Sequence, residues 1–239
     1  MSAPESFEVG GVRFSIEYPT GPGWRVSKQG DFTLLKTQGF IDFYRRLQKS
    51  EPKYILEVGM FEGGSLVLFD KLYSPKKLVG IDIRQHPIEA LEEYRRDREH
   101  IVTYYSQSQD DPELPAMLEK EFPDGIDLIV DDASHQYIMS RTTFHSSFPL
   151  LKPGGLYVLE DWSWSHKPDS QTSAHPWFGE PALTNLIIDL IVNLPDSDQI
   201  SSITIHHDLA VIEKSAGAKG PVSLLDGYDR LRGRALRTF

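Results

Sequence analysis

Ile55-Leu56-Glu57-Val58-Gly59-Met60-Phe61-Glu62-Gly63-Gly64-Ser65 is a short apolar run that breaks into three glycines before the pattern turns helical. Such a run predicts a buried strand, a tight turn and a helix start. Gly59 lets the chain turn sharply off the strand. Gly63 and Gly64 let the backbone approach a ligand and pack the helix closely.

The same alternation continues downstream. Strands are predicted over 54–58, 78–83, 101–105, 126–131 and 156–160. Helices are predicted over 63–72, 87–98, 112–122, 137–150 and 181–194. Apolar strands separated by helices imply a mostly parallel α/β sheet covered on both faces. Segments 200–206 and 209–213 are joined only by His207-Asp208, which makes them an antiparallel edge hairpin.

Upstream, alternating runs flank Gly10-Gly11 and predict a hairpin over 6–18. From Asp31, residues Leu34, Leu35, Phe40, Ile41, Phe43, Tyr44 and Leu47 recur at helical spacing, so one helix is expected to run from there to about Lys49. The expected organisation is a cap over 1–50, a main domain over 51–215 and a basic tail over 216–239. The tail carries Lys219, Arg230, Arg232, Arg234 and Arg237 against Asp226 and Asp229.

Composition excludes several function classes. The chain has 239 residues, 39% of them hydrophobic, which is enough for a sizeable core. Its 25 basic and 35 acidic residues leave a net charge of −10, unlike the basic face of a nucleic-acid binder. It has no cysteine, which removes disulfides, zinc–thiolate sites and thiol catalysis. Met1–Ser6 lacks a basic start and an apolar run, and no stretch approaches the ~20 apolar residues of a membrane span. A soluble, cytoplasmic protein with a small-molecule substrate is expected, assembled as a homo-oligomer.

Chemistry concentrates at the predicted strand ends. Asp82 closes the second strand, 23 residues after Gly59, where an acid meets ribose hydroxyls in nucleoside-binding sheets. The third strand runs into Ser106-Gln107-Ser108, a polar turn at the same edge of the sheet. The fourth ends Asp131-Asp132-Ala133-Ser134-His135, and the fifth ends Glu160-Asp161. These acids converge on one crevice. Carboxylates placed together repel unless a proton or cation neutralises them, and oxygen-only ligands favour a hard ion such as Mg²⁺. His135 at the crevice mouth is a candidate general base. The long 162–179 loop carries Trp162, Trp164, His166, Trp177 and Phe178, a candidate lid with aromatic faces suited to sugars and polyketide rings.

The spacing Glu57-x-Gly59-x-x-x-Gly63 resembles the S-adenosylmethionine motif of class I methyltransferases. That resemblance implies a Rossmann-like, doubly wound fold, with Glu57, Gly59, Gly63, Ser65, Asp82, Gln107 and Asp131 at the cofactor. Asp132-Ala-Ser-His135, with Pro153-Gly-Gly-Leu-Tyr-Val-Leu-Glu160-Asp161, is similar to the magnesium-dependent sugar O-methyltransferases of macrolide biosynthesis and the cephalosporin-hydroxylase-like group. Their pattern is Asp-Gly-Ser-His followed by Pro-Gly-Gly-x-x-x-x-Glu-Asp. The resemblance covers about residues 53–165 and implies Asp132, Glu160 and Asp161 as metal ligands, with His135 as the base. Ala133 stands where that family has glycine. The larger macrolide enzymes also carry an extra N-terminal domain. The expected reaction is methyl transfer to a hydroxyl of a sugar or other natural product. A catechol-type O-methyltransferase and a non-methylating cofactor binder are the alternatives.

Overall fold

The computed structural model describes residues 5–17 and 23–217. Of the predicted basic tail, all but its first two residues lie outside the described residues.

Strands β1 (Ser6–Val9) and β2 (Val12–Ile16) form the expected hairpin about Gly10-Gly11. The helix expected from Asp31 is a different structure. Asp31–Leu34 is a strand, β3, pairing parallel to β2 with Phe14 opposite Phe32 and Ile16 opposite Leu34. Helix α1 (Gln38–Leu47) starts only after Thr37, whose extended backbone and Oγ1, accepting from Phe40 N, form its N-cap. Phe32 and Leu34 bury themselves by strand pairing, and Phe40, Ile41, Phe43 and Tyr44 by helix packing. Two adjacent apolar patterns thus read as one helical period.

The main sheet joins β4 (Tyr54–Val58), β5 (Lys77–Ile81), β6 (Ile101–Tyr104), β7 (Ile126–Asp131), β8 (Leu151–Glu160), β9 (Ile200–Ile205) and β10 (Leu209–Lys214). Among the described residues their order is β6-β5-β4-β7-β8-β10-β9. The first five in space run parallel, and β10 and β9 close the edge antiparallel. The helices between are α2 (Gly64–Tyr73), α3 (Glu89–Arg95), α4 (Leu114–Glu121), α5 (Tyr137–Ser147) and α6 (Thr184–Asn193). This is the mostly parallel sheet that the alternation implies, in the Rossmann-like arrangement that the resemblance implies.

Alternate residues of each strand feed two cores. Ile55, Leu78, Leu128, Val130 and Val158 pack with α1, α2, α3 and the small N-terminal sheet. Leu56, Val79, Ile129, Tyr157 and Leu159 pack with α4, α5 and α6. Parallel strands buried on both faces put their carboxyl ends on one edge, where ligands bind at the reversal of strand order, here between β4 and β7.

Two glycines fix how closely the pieces meet. A Cβ on Gly59 (φ +92°) would lie 2.2 Å from the Asp132 carbonyl oxygen. One on Gly64 would lie 2.1 Å from the Thr33 carbonyl oxygen of β3. The close approach at Gly64 is therefore to the N-terminal sheet.

Candidate active site

The ends of β5, β4 and β7 lie side by side, with Gly59 N donating to Ile81 O of β5 at 2.9 Å and Asp132 N, just past β7, to Val58 O of β4 at 2.9 Å. A cavity of about 410 Å³ opens there, large enough for a small cofactor. Gly59, Asp82, Gln107, Asp132, His135 and Asp161 all line it. Asp82 is held rigidly: Oδ2 accepts from Met60 N at 2.8 Å and Oδ1 from Arg84 N at 2.8 Å. Each oxygen keeps further acceptor capacity.

Asp132, His135 and Asp161 each offer one ligand atom, all within 4.8 Å of one another. His135 Nε2 lies 3.8 Å from Asp132 Oδ1. His135 (φ +54°) and Asp161 (φ +51°) both have left-handed backbones. For residues other than glycine that conformation costs on the order of 1–3 kcal/mol each and persists where the surroundings enforce it. Here it turns both side chains into one space. Two carboxylates and an imidazole suit a divalent cation, and the oxygens favour a hard one.

Other expected site residues stand behind this wall. Glu57, Gly63, Ser65, Asp131 and Glu160 do not line the cavity. Glu57 is fully buried, and neither carboxylate oxygen makes a well-formed hydrogen bond, Ser65 being the side chain placed to donate. Burial pushes its pKa up to about 8, with the Lys36 charge pulling the other way. Asp131 is raised to about 6, chiefly by burial, while the Tyr157 hydroxyl donates to its Oδ2 at 2.7 Å. Ser65 faces a small separate cleft with Thr33, Lys36 and Asp132.

Glu160 is also fully buried, and protein groups satisfy both its oxygens. Lys36 Nζ donates to Oε2 at 2.6 Å and to Asp132 Oδ2 at 2.7 Å, while the Tyr44 hydroxyl donates to Oε1. Burial opposes the ammonium charge, but Asp132, Glu160 and Glu57 outweigh it, and the Lys36 pKa rises. Glu160 is itself raised by burial and by the neighbouring Asp132, and Asp161 by the same two causes. One ammonium among several buried acids leaves the cluster short of positive charge, which a proton or a cation can supply.

Sequence reading missed Lys36 and Tyr44. A lone lysine between Leu35 and a helix cap looks like a surface residue, and Tyr44 looks like helix core. It also missed Gln109, whose Oε1 accepts from Ser134 N at 3.0 Å and whose Nε2 donates to Thr143 Oγ1 at 2.8 Å, tying down the turn before His135. The cavity rim is apolar. Trp24, Leu35 and Ile83 line it while remaining 51%, 42% and 70% exposed.

Comparison with known proteins converges on the same span. Residues 56–162 match the methyltransferase-domain family. Demethylmacrocin O-methyltransferase of Streptomyces fradiae is 28% identical over 206 residues, covering 76% of this chain and 49% of that protein. Mycinamicin VI 2''-O-methyltransferase of Micromonospora griseorubida is 25% identical over 202 residues, covering 76% and 48%. The MycE methyltransferase of the mycinamycin biosynthetic pathway, solved in complex with Mg and SAH, has a TM-score of 0.56 and 26% identity, covering 78% of this chain and 51% of that one. The chain spans about half the length of these relatives. The matched span contains the end of β4, the glycine turn, the Asp132 turn and Glu160-Asp161. Residues 56–162 thus carry the match to the methyltransferase-domain family, on a Rossmann-like fold.

Proposed function

We infer that this protein is a metal-dependent O-methyltransferase acting on a hydroxyl of a sugar or other natural-product scaffold. The observation that carries the reading is the convergence of Asp132, His135 and Asp161 on a cavity that also holds Gly59 and Asp82. In this reading S-adenosylmethionine supplies an electrophilic methyl group and Mg²⁺ supplies charge stabilisation for the acceptor oxygen. Gly59, Asp82 and Gln107 would hold the cofactor, with Glu57, Gly63, Ser65 and Asp131 behind them. Asp132 and Asp161 would hold the metal, and Glu160, whose oxygens accept from Lys36 and Tyr44, would join them only if those donors gave way. His135 takes the proton of the acceptor hydroxyl, and Asp132 steadies the imidazolium that forms. The apolar rim of Trp24, Leu35 and Ile83 receives the body of the acceptor. Residues 51–215 are the catalytic unit and residues 1–50 its cap.

The sugar O-methyltransferases among the relatives support this acceptor class. The test is to incubate purified protein with methyl-labelled cofactor and a panel of glycosylated polyketides, with and without chelator. Label transfer that stops in chelator and returns with magnesium is expected. Undiminished transfer in chelator would remove the metal, and binding of cofactor without transfer to any hydroxylated acceptor would remove the reaction.

A further inference from the structure

His135 owes its direction to an uncommon backbone conformation, and something must hold it there. Helix α5 begins only at Tyr137, so its hydrogen-bond ladder leaves the His135 carbonyl out. That carbonyl accepts instead from the indole Nε1 of Trp164 at 2.7 Å. Trp164 stands three residues after Asp161, and its backbone N–H points to the Asp161 carbonyl at 3.4 Å. One residue therefore bridges the two turns that carry the left-handed His135 and Asp161. The ring is itself gripped. His175 stacks on it at 5.4 Å and 25°, and Trp177 meets its edge at 5.2 Å and 77°. Nearby, Trp162 Nε1 donates to His206 O at 3.2 Å and the Ser163 hydroxyl to Asp208, fixing the loop base to the β9–β10 turn.

We propose that Trp164 is a positioning residue for His135: the loop after β8 fastens the backbone of the candidate base through a single indole hydrogen bond. The proposal rests on reading His135 as the base. Loss of the N–H frees the carbonyl, lets the 134–136 backbone relax out of its left-handed conformation, and turns the imidazole away from Asp132 and Asp161. A merely structural tryptophan would pack the loop without fixing the imidazole.

Two measurements on the full chain, saturated with S-adenosylhomocysteine and Mg²⁺, decide this. First, the Trp164 indole N–H is assigned by its disappearance in Trp164→Phe, and its hydrogen exchange is followed. Exchange at least about 10-fold slower than that of a free indole is expected, since opening must precede exchange. Exchange at the free rate overturns the proposal. Second, ¹⁵N-labelled histidine spectra are compared between wild type and Trp164→Phe, with the His135 ring assigned through His135→Gln. The ring signals of His135 are expected to shift while those of His86 stay in place; unmoved His135 signals overturn the proposal. Should Trp164→Phe fold poorly, the indole N–H is assigned in wild type from its through-space contacts to the stacked His175 ring, and the exchange arm then decides alone. Neither arm measures methyl transfer, so failure here leaves the base reading standing, and that reading fails separately if His135→Ala keeps full turnover.

Discussion

Lys36 Nζ lies 2.6 Å from Glu160 Oε2, a contact between residues 124 positions apart whose side chains are 2% and 0% exposed. Removing one partner of a buried ion pair leaves the other charge uncompensated, at a cost of about 3–5 kcal/mol. Lys36→Met is expected to destabilise the protein by that order in urea unfolding, and Glu160→Gln with Lys36→Met by clearly less than the sum of the two single changes. Additive effects would show that the pair is energetically independent.

His135→Ala is expected to lower turnover about 10²–10⁴-fold, the usual contribution of a general base. Cofactor affinity, measured by calorimetry, stays within about twofold. A collapse of affinity together with turnover would make His135 a structural residue.

Asp82→Ala removes acceptors for Met60 N and Arg84 N as well as the expected ribose contact. Cofactor binding weakens by about 1–3 kcal/mol, read by calorimetry. Asp82→Asn keeps an acceptor oxygen and loses less. Equal affinity in the alanine variant would remove Asp82 from the cofactor site.

Glu57 gives the pH dependence of stability in the cofactor-free protein. Its pKa rises from 4.5 to about 8, first because it is buried. The folded protein keeps a proton that the unfolded chain has already released. Stability therefore falls as pH rises through that window and levels off above it, by on the order of 5 kcal/mol. Glu57→Gln is expected to flatten urea-unfolding stability between pH 5 and pH 8 and to raise it at the upper end. An unchanged slope would assign the dependence to other groups.

The parallel sheet was legible because each of its strands is an apolar run bounded by turn residues, and both of its faces are buried. The strand ends were legible as well, since Asp82, Asp132, His135 and Asp161 sit where a parallel sheet delivers its ligands. What sequence reading could not reach depends on contacts between distant segments. β3 merges with α1 in periodicity, because Phe32 and Leu34 are buried through β2 and α2, elements whose positions no local pattern gives. The Thr37 cap was the available signal for that break. Lys36 is identified as interior only by the acids around it, which come from the turn after β7 and from the end of β8. Glu57 and Asp131 were readable as acids at the right strands, but their side chains point behind the cavity wall rather than into it.

The contact of Lys36 and Tyr44 with Glu160 also bears on how such chains can be recombined. Both donors come from the first fifty residues, and the acceptor from the last parallel strand. The two portions are thus a matched set and not interchangeable modules. A chimera that joins residues 51–215 to a different N-terminal segment inherits a sequestered acid without its counter-ion. It would have to import a lysine and a phenol at equivalent places, or give up the glutamate, before it could be expected to fold.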